Sequence, residues 1–196
     1  HRWAEEGKIP HPDPDMVADM YQYARESLAS AGYHHYEISN WSLPGKACEH
    51  NLVYWQNGPY LGVGPGAHSR LADYRFWTVL SPRDYNKKAS AWADGGVQAV
   101  TYLLQSVLEG IPTLGGWEHI SPDTRCSETM FLGLRLLDGM DLNEASSFAG
   151  ADLAEKFQDA IAECIHLGLL TQEDNNLRLT ESSYLIANQA FTKFLE

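Results

Sequence analysis

The sequence predicts an α/β fold in its first part, followed by a mostly helical, winged-helix-like domain. Near the start, a helical pattern of apolar residues runs directly into an alternating, strand-like pattern, which is the repeating unit of an α/β sheet or barrel. Beyond residue 120 the apolar residues recur mainly at helical spacing, with one hairpin among them. The stretch EGIPTLGGW, residues 109–117, separates the two patterns. We therefore predict one domain over residues 1–112 and a second over residues 113–196.

The first helix and strand follow each other closely. In DMVADMYQYARESLASAG, residues 15–32, apolar side chains such as Met16, Met20 and Tyr23 recur at helical spacing, and Gly32 is a plausible stop. The next segment, YHHYEIS, alternates bulky residues in the manner of a strand, and LPG at residues 43–45 marks its end. Further extended segments are predicted at residues 60–64 and 74–79. A helix is predicted from Pro82, with Ser81 as its N-cap.

The second domain is predicted from helical spacing and one turn. A helix begins after Ser121, a short helix follows Asp141, and a longer helix covers residues 151–168. The longer helix has apolar residues at four-residue intervals: Leu153, Phe157, Ile161 and Ile165. A hairpin then turns at residues 173–176, and a last helix covers residues 181–194.

Composition and charge exclude several classes of protein. The formal net charge is −12, and residues 121–196 hold 5 Lys+Arg against 13 Asp+Glu. Binding to a phosphate backbone depends on basic side chains, so we expect no nucleic-acid partner. No apolar run reaches the ~18 to 20 residues that cross a bilayer, so we expect no transmembrane segment. The three widely spaced cysteines indicate a reducing compartment, and we expect the cytoplasm.

A glycine-rich loop, GVGPGA at residues 62–67, fits the outline of a dinucleotide-binding pattern. That pattern must open a helix, whereas the following HSRLADYRFWTV is extended in character. We therefore favour a strand end at which Gly62, Gly64 and Gly66 let the backbone approach a cofactor closely. A bulge or tight turn without any ligand remains the alternative.

The strongest candidate for chemistry is HNLVYW, residues 50–55. A neutral imidazole is a common axial ligand of haem iron, and Tyr54 and Trp55 could supply an apolar surface for a porphyrin. Asn51 would either orient a ligand or close a turn. The alternative for His50 is an ordinary hydrogen-bonded loop residue.

Other histidines are weaker candidates. His34 and His35 point to opposite sides of a strand, so they cannot both bind one metal, and Glu37 would share a face with His35. His68 follows the glycine loop and could reach a cofactor. Cys48 and His50 are too few ligands for zinc.

Together these segments carry a resemblance to a known family. The stretch GYHHYEISNWSLPGKACEHNLVYWQNGPYLGVGPGAHS, residues 32–69, resembles the radical S-adenosylmethionine family that contains oxygen-independent coproporphyrinogen III oxidase and the haem chaperones. SETMFLGLRLLDGMDL, HLGLL and LRLTESSYLIANQAF resemble the C-terminal domain of that family. The resemblance implies the C-terminal portion of an incomplete (β/α) radical-SAM barrel followed by a winged-helix-like domain. HNLVYW resembles the haem-binding signature of the haem-chaperone branch, HemW.

The resemblance also implies roles for particular residues. His50 becomes the candidate ligand of haem iron, with Asn51, Tyr54 and Trp55 shaping the site. Gly62, Gly64 and Gly66 would border the S-adenosylmethionine pocket.

The iron–sulfur cluster of this family is bound by a C-x3-C-x2-C loop, and this sequence has none. Cys48, Cys126 and Cys164 are 78 and 38 positions apart, so the chain holds no cluster ligands. We therefore expect S-adenosylmethionine and [4Fe-4S] only in a longer protein, of which this chain would be the C-terminal part, inactive alone. No catalytic residue is assigned.

The leading hypothesis is a haem chaperone that binds haem and delivers it to an acceptor protein. One alternative is the porphyrinogen oxidase itself, which would use Arg70, Arg75 or Arg83 to hold substrate carboxylates. Another is a winged-helix interaction module at residues 121–196 that docks to a protein.

Overall fold

The computed structural model describes residues 2–8, 10–11, 13–94 and 110–195, with the side chains of residues 91–94 left out. Helices and short strands alternate along these residues, so the predicted mixed α/β class is confirmed. The described strands form one two-stranded and two three-stranded sheets, and all of their pairings are antiparallel. Of the helices in these ranges, none is long and apolar enough to span a membrane.

The first part contains two helices and a hairpin. Helix α1 covers Arg2–Glu5 and α2 covers Pro14–Ser30, where the Asp13 carboxylate accepts a hydrogen bond from the Asp15 amide at 2.9 Å. The predicted strand over residues 33–39 is instead a hairpin of β1, His34–Glu37, and β2, Asn40–Ser42. At the turn, the Tyr21 hydroxyl donates to the Ile38 carbonyl at 2.9 Å.

The middle part builds the second sheet. Helix α3, Glu49–Trp55, is followed by β3, His68–Leu71, and by β4, Tyr74–Thr78, which confirms the predicted strand there. Helix α4, Pro82–Asp94, begins at Pro82 as predicted, and the Asp84 amide donates to Ser81 Oγ at 3.3 Å. Of the extended segment predicted at residues 60–64, only Tyr60 pairs, through an isolated bridge to Arg70.

The stretch predicted to separate the domains contains a strand. Strand β5, Leu114–His119, pairs with β4. Strand β5 was not predicted from the sequence, because Gly115 and Gly116 are typical of a loop. The division at residues 112 and 113 stays a prediction.

The last part follows the predicted order with two corrections. Its elements are α5, Pro122–Gly133; β6, Met140–Asp141; α6, Leu142–Ala149; α7, Leu153–Lys156; α8, Gln158–His166; β7, Leu170–Glu173; β8, Asn176–Leu179; and α9, Ala187–Phe191. The single long helix predicted over residues 151–168 is broken at Phe157. The last helix is also irregular, because 3-10 turns at Glu181–Ile186 and Thr192–Phe194 flank α9.

The core is formed by this last part. Its buried members include Met130, Leu134, Leu153, Leu177 and Phe194. Ile165, which was predicted on the same face, is exposed, and Cys164 is buried in its place. The reason is the helical period of 3.6 residues within α8: each step of four residues rotates the side chain by about 40°, so Ile165, two steps after Phe157, has turned away from the core.

Main-chain pairing attaches the β1–β2 hairpin to the last part. Ile38 N donates to Arg135 O at 3.3 Å, and Leu137 N donates to Tyr36 O at 3.2 Å. The hairpin thus lies against the residues that follow α5, and α3 also contacts α5. This arrangement positions the helix that carries the HNLVYW motif.

Candidate functional site

Helix α3 presents an imidazole and a phenol ring on one side. His50 and Tyr54 are four residues apart, so they lie one turn from each other, and their ring centroids are 4.7 Å apart in an edge-on contact. Tyr54 in turn meets Tyr60, with 4.5 Å between centroids. The resulting series of rings, His50, Tyr54 and Tyr60, is called the aromatic ladder below. Tyr60 was not among the predicted site residues because it lies outside HNLVYW.

His50 occupies the open end of the ladder. Its side chain is exposed, in a helix rather than the loop considered above. Among the described residues its ring contacts Tyr54, and neither ring nitrogen makes a side-chain hydrogen bond. An imidazole nitrogen in this setting is available to an incoming ligand.

The other two motif residues face different neighbours. The Asn51 amide nitrogen lies 3.4 Å from the Tyr36 hydroxyl, to which it donates. The Trp55 ring lies under the guanidinium of Arg135, whose Cζ is 4.3 Å from the ring centroid. The structure therefore brings His50 and Tyr54 together, and it places Asn51 and Trp55 at the contacts with β1 and the end of α5.

Tyr60 is held in place by strand β3. Two main-chain hydrogen bonds of 2.9 Å join it to Arg70, and burial raises the pKa of its hydroxyl. Arg70 is itself buried, and its guanidinium donates to the Asn57 carbonyl just beyond α3. The Asn57 side chain donates to Thr129 Oγ1 at 3.1 Å, which ties the end of α3 to α5.

The glycine loop is bound to the β3–β4 hairpin through its main chain. Gly62 N donates to Ser69 Oγ at 3.0 Å, the Thr78 hydroxyl donates to Gly64 O at 2.6 Å, and Gly66 N donates to Val79 O at 2.9 Å. Gly64 has a φ of 110°, and a Cβ on Gly62 would lie 2.2 Å from the His68 carbonyl oxygen. The backbone itself thus requires these glycines. A border with S-adenosylmethionine stays a prediction.

The cysteines do not fit an iron–sulfur cluster. Cys48 is exposed at the start of α3, whereas Cys126 and Cys164 are buried in the core of the last part. In the described ranges, His, Cys, Asp and Glu form no group of three or more that could hold a metal ion.

The weaker histidine candidates have structural partners. His35 stacks on Trp41 with 4.2 Å between centroids, and its Nε2 lies 3.1 Å from the Ile38 carbonyl. Glu37, predicted to share a face with His35, makes a structural hydrogen bond instead: its carboxylate accepts from the Asn40 side chain, and a bulge interrupts β1 between Glu37 and His35. His68 stacks on Trp77.

Two of the three candidate arginines are also engaged. Arg75 binds Glu118 and Glu128, each at 2.6 Å, and Arg70 is buried as described. Arg83 is exposed on α4. Arg70 and Arg75 are thus held by protein groups.

A cavity of about 260 Å³ lies between α3, α5 and α6, lined by Trp55, Thr129, Met140 and Phe148 among others. It is below the range of about 300–1,000 Å³ that is usual for drug-sized ligands. His50 does not line it. His50 lies instead on the exposed side of α3.

Comparison with known proteins identifies the family. Residues 120–186 match the HemN C-terminal domain. The heme chaperone HemW of Synechocystis sp. is 37% identical over 139 residues, which is 71% of this chain and 30% of that protein. The heme chaperone HemW of Lactococcus lactis is 31% identical over 189 residues, 96% of this chain and 45% of that protein. The chain spans less than half the length of either relative.

The fold agrees with this assignment. The solved structure of coproporphyrinogen III oxidase (HemN) from Escherichia coli, a radical SAM enzyme, matches 93% of this chain and 42% of its own with a TM-score of 0.64 at 14% identity. At that identity the likeness concerns the fold alone. The family assignment rests on the sequence: the match to the HemN C-terminal domain and the HemW relatives show that the chain belongs to the family of HemN and HemW.

Proposed function

We propose that this chain supplies the haem-holding surface of a haem chaperone, with His50 as one axial ligand of the haem iron. The observation that carries the proposal is the exposed His50 ring at the open end of the aromatic ladder. Its relatives named heme chaperone support the choice of ligand. Haem is here the cargo of the protein.

The ladder suits reversible binding. A neutral imidazole donates a nitrogen lone pair to iron, and Tyr54 holds the ring at a fixed edge-on angle. Tyr60 supports Tyr54 from the β3 side, so the ligand stands on a braced surface. A porphyrin bound on an exposed face by one protein ligand keeps its other face open. An acceptor protein can then supply the second ligand and take the haem away.

The cofactors, compartment and partner that we propose are those expected from the family and from the composition. S-adenosylmethionine and [4Fe-4S] would be held by other parts of a longer protein, and when bound they would supply radical chemistry there. This chain alone would be inactive in that chemistry, since its cysteines do not fit the cluster. Its three unpaired cysteines suit a reducing compartment, and we place the protein in the cytoplasm. The acidic last part makes a protein acceptor a better partner than nucleic acid.

Haem titration of the intact protein tests the proposal. We expect a Soret shift in the wild type that is lost in His50→Ala. His119→Ala is the matched control, because His119 is also exposed and also meets a tyrosine edge-on, Tyr74 at 5.1 Å. It should keep the wild-type spectrum. An unchanged Soret band in His50→Ala would remove His50 from the mechanism.

A further inference from the structure

Arg135 joins the haem-binding helix to the HemN C-terminal domain. It lies just beyond α5, within the matched residues 120–186. Its guanidinium carbon is 4.3 Å from the centroid of the Trp55 ring, at the last residue of α3. A planar guanidinium over an indole face is a favourable cation–π and stacking contact.

The same guanidinium faces a buried carboxylate. Glu37 is fully buried, and its Oε2 has no hydrogen-bond partner among the described residues. Arg135 Nη2 lies 3.6 Å from that oxygen and 3.5 Å from Ser39 Oγ. A buried carboxylate requires a nearby cation, so Arg135 is held in place from the hairpin side while it covers Trp55.

Helix α3 has few other anchors. Within the structure as described, none of its residues is buried, and its N-cap, Cys48, makes no side-chain capping bond. Its other contacts are those of Tyr54 with Tyr60 and of Asn51 with Tyr36, and Asn57, two residues past the helix, reaches Thr129. The orientation of this short helix therefore depends strongly on the Trp55 end, where Arg135 lies.

We propose that Arg135 is a positioning residue for haem binding: through Trp55 it sets the orientation of α3 and hence the angle at which His50 meets the iron. Arg135 touches the far end of the helix and not the aromatic ladder, so its influence on haem is indirect. The inference rests on the proposed function of His50 and adds a residue that HNLVYW does not contain.

Haem titration of Arg135 variants tests this role in the intact protein. Arg135→Ala should weaken haem affinity about tenfold, which corresponds to about 1.4 kcal/mol. At saturating haem its Soret maximum should move toward that of His50→Ala, because a tilted helix presents a poorer ligand. Arg135→Lys keeps the charge beside Glu37 and loses the planar stack on Trp55, so we expect about a threefold loss.

The matched control is Arg178→Ala. Arg178 lies in the same domain and pairs with Glu173 at 2.7 Å, and this pair is on the hairpin, away from Trp55. It should bind haem within about twofold of the wild type, since exposed ion pairs contribute little. An equal loss in Arg178→Ala, or an unshifted spectrum of saturated Arg135→Ala, would show a general loss of stability and overturn the proposal.

Different outcomes would refute the role of His50 as a haem ligand and the role of Arg135 as a positioning residue. Wild-type haem binding by Arg135→Ala, with the spectrum lost in His50→Ala, removes the positioning role and leaves the haem site. A wild-type spectrum in His50→Ala removes both. Should Arg135→Ala not fold, Arg135→Lys decides, and wild-type affinity in that variant overturns the role of Arg135.

Discussion

At the scale of single residues, burial changes the acid–base behaviour of His35. The imidazole stacks on Trp41, and the pKa of His35 is lowered mainly because burial disfavours the charged ring. The contact with the Ile38 carbonyl opposes this shift, and the charge of Arg25 adds to it. The folded protein therefore holds His35 neutral at pH values where the unfolded chain already binds a proton.

This difference predicts a dependence of stability on pH. Below the ordinary histidine pKa of about 6.5 the unfolded state takes up a proton that the folded state refuses. The free energy of unfolding should thus fall as pH drops from about 7 to about 5, and more steeply in the wild type than in His35→Gln. Urea unfolding at several pH values measures both slopes. Equal slopes in wild type and His35→Gln would contradict the prediction.

Single residues also show what local sequence could and could not predict about the site. The four-residue spacing of His50 and Tyr54 is visible in the sequence, and it becomes a contact once the segment is helical. Tyr60 and Arg135 were not predicted. Tyr60 reaches the ladder because a main-chain bridge to Arg70 places it there, and Arg135 is 80 positions from Trp55 in the chain. A short sequence motif cannot reveal contacts with residues that are distant in the chain.

At the scale of elements, helices with a clear capping residue were predicted correctly at their starts. Ser121 caps α5 and Asp141 caps α6, each with a side-chain hydrogen bond to an amide of the first turn. Helix α3, whose N-cap residue is Cys48, was not recognised as a helix. Strand β5 was missed for a different reason: Gly116 lies under the Trp77 ring, so the glycine makes room for an aromatic residue of the neighbouring strand.

Replacing the sulfur of Cys48 by oxygen should stabilise the start of α3. Cys48 has the extended backbone of an N-cap, with φ −71° and ψ 103°, and its thiol makes no capping bond to the helix residues described. A hydroxyl is a better acceptor for the free amides of the first turn, so Cys48→Ser should raise the free energy of unfolding by about 0.5–1 kcal/mol. Denaturant unfolding followed by tryptophan fluorescence measures this change. Cys48→Ala is the control and should give no gain, while a gain of the same size in both variants would refute capping as the cause.

The same variant separates two possible iron ligands. Cys48 lies two residues before His50 and is also exposed. If His50 is the ligand, haem-loaded Cys48→Ser should keep the wild-type Soret maximum. A shifted maximum in Cys48→Ser would instead implicate the thiol.

At the scale of the whole molecule, the apolar core is distributed unevenly. The main cluster runs from Cys126 to Phe194, whereas the buried apolar residues described before position 113 are Ala4, Tyr36 and Phe76. Helix α2 has no buried residue in the structure as described, and Met16, Met20 and Tyr23 on it are exposed. The last part is therefore expected to be the most stable region of this chain, while α2 opens at a lower free energy.

Amide hydrogen exchange tests this division when it is combined with one core variant. Leu153 is fully buried, so Leu153→Ala should lower the free energy of unfolding of the last part by about 2–5 kcal/mol. Protection should then fall together in α5, α8 and β8, because all three pack into the same cluster. The exchange of α2 amides should stay nearly unchanged, since they already exchange through local opening.

The control is a leucine from the same region that does not contribute to the core. Leu167 is 56% exposed, and Leu167→Ala should change stability by about 0.5 kcal/mol or less. If α2 lost protection in Leu153→Ala to the same extent as α5, the whole chain would unfold as one cooperative unit. Helix α3 lies between these two regions in the sequence, with its Trp55 end against the stable one. If the α3 amides are protected in the wild type and lose this protection in Arg135→Ala, α3 belongs to the stable region.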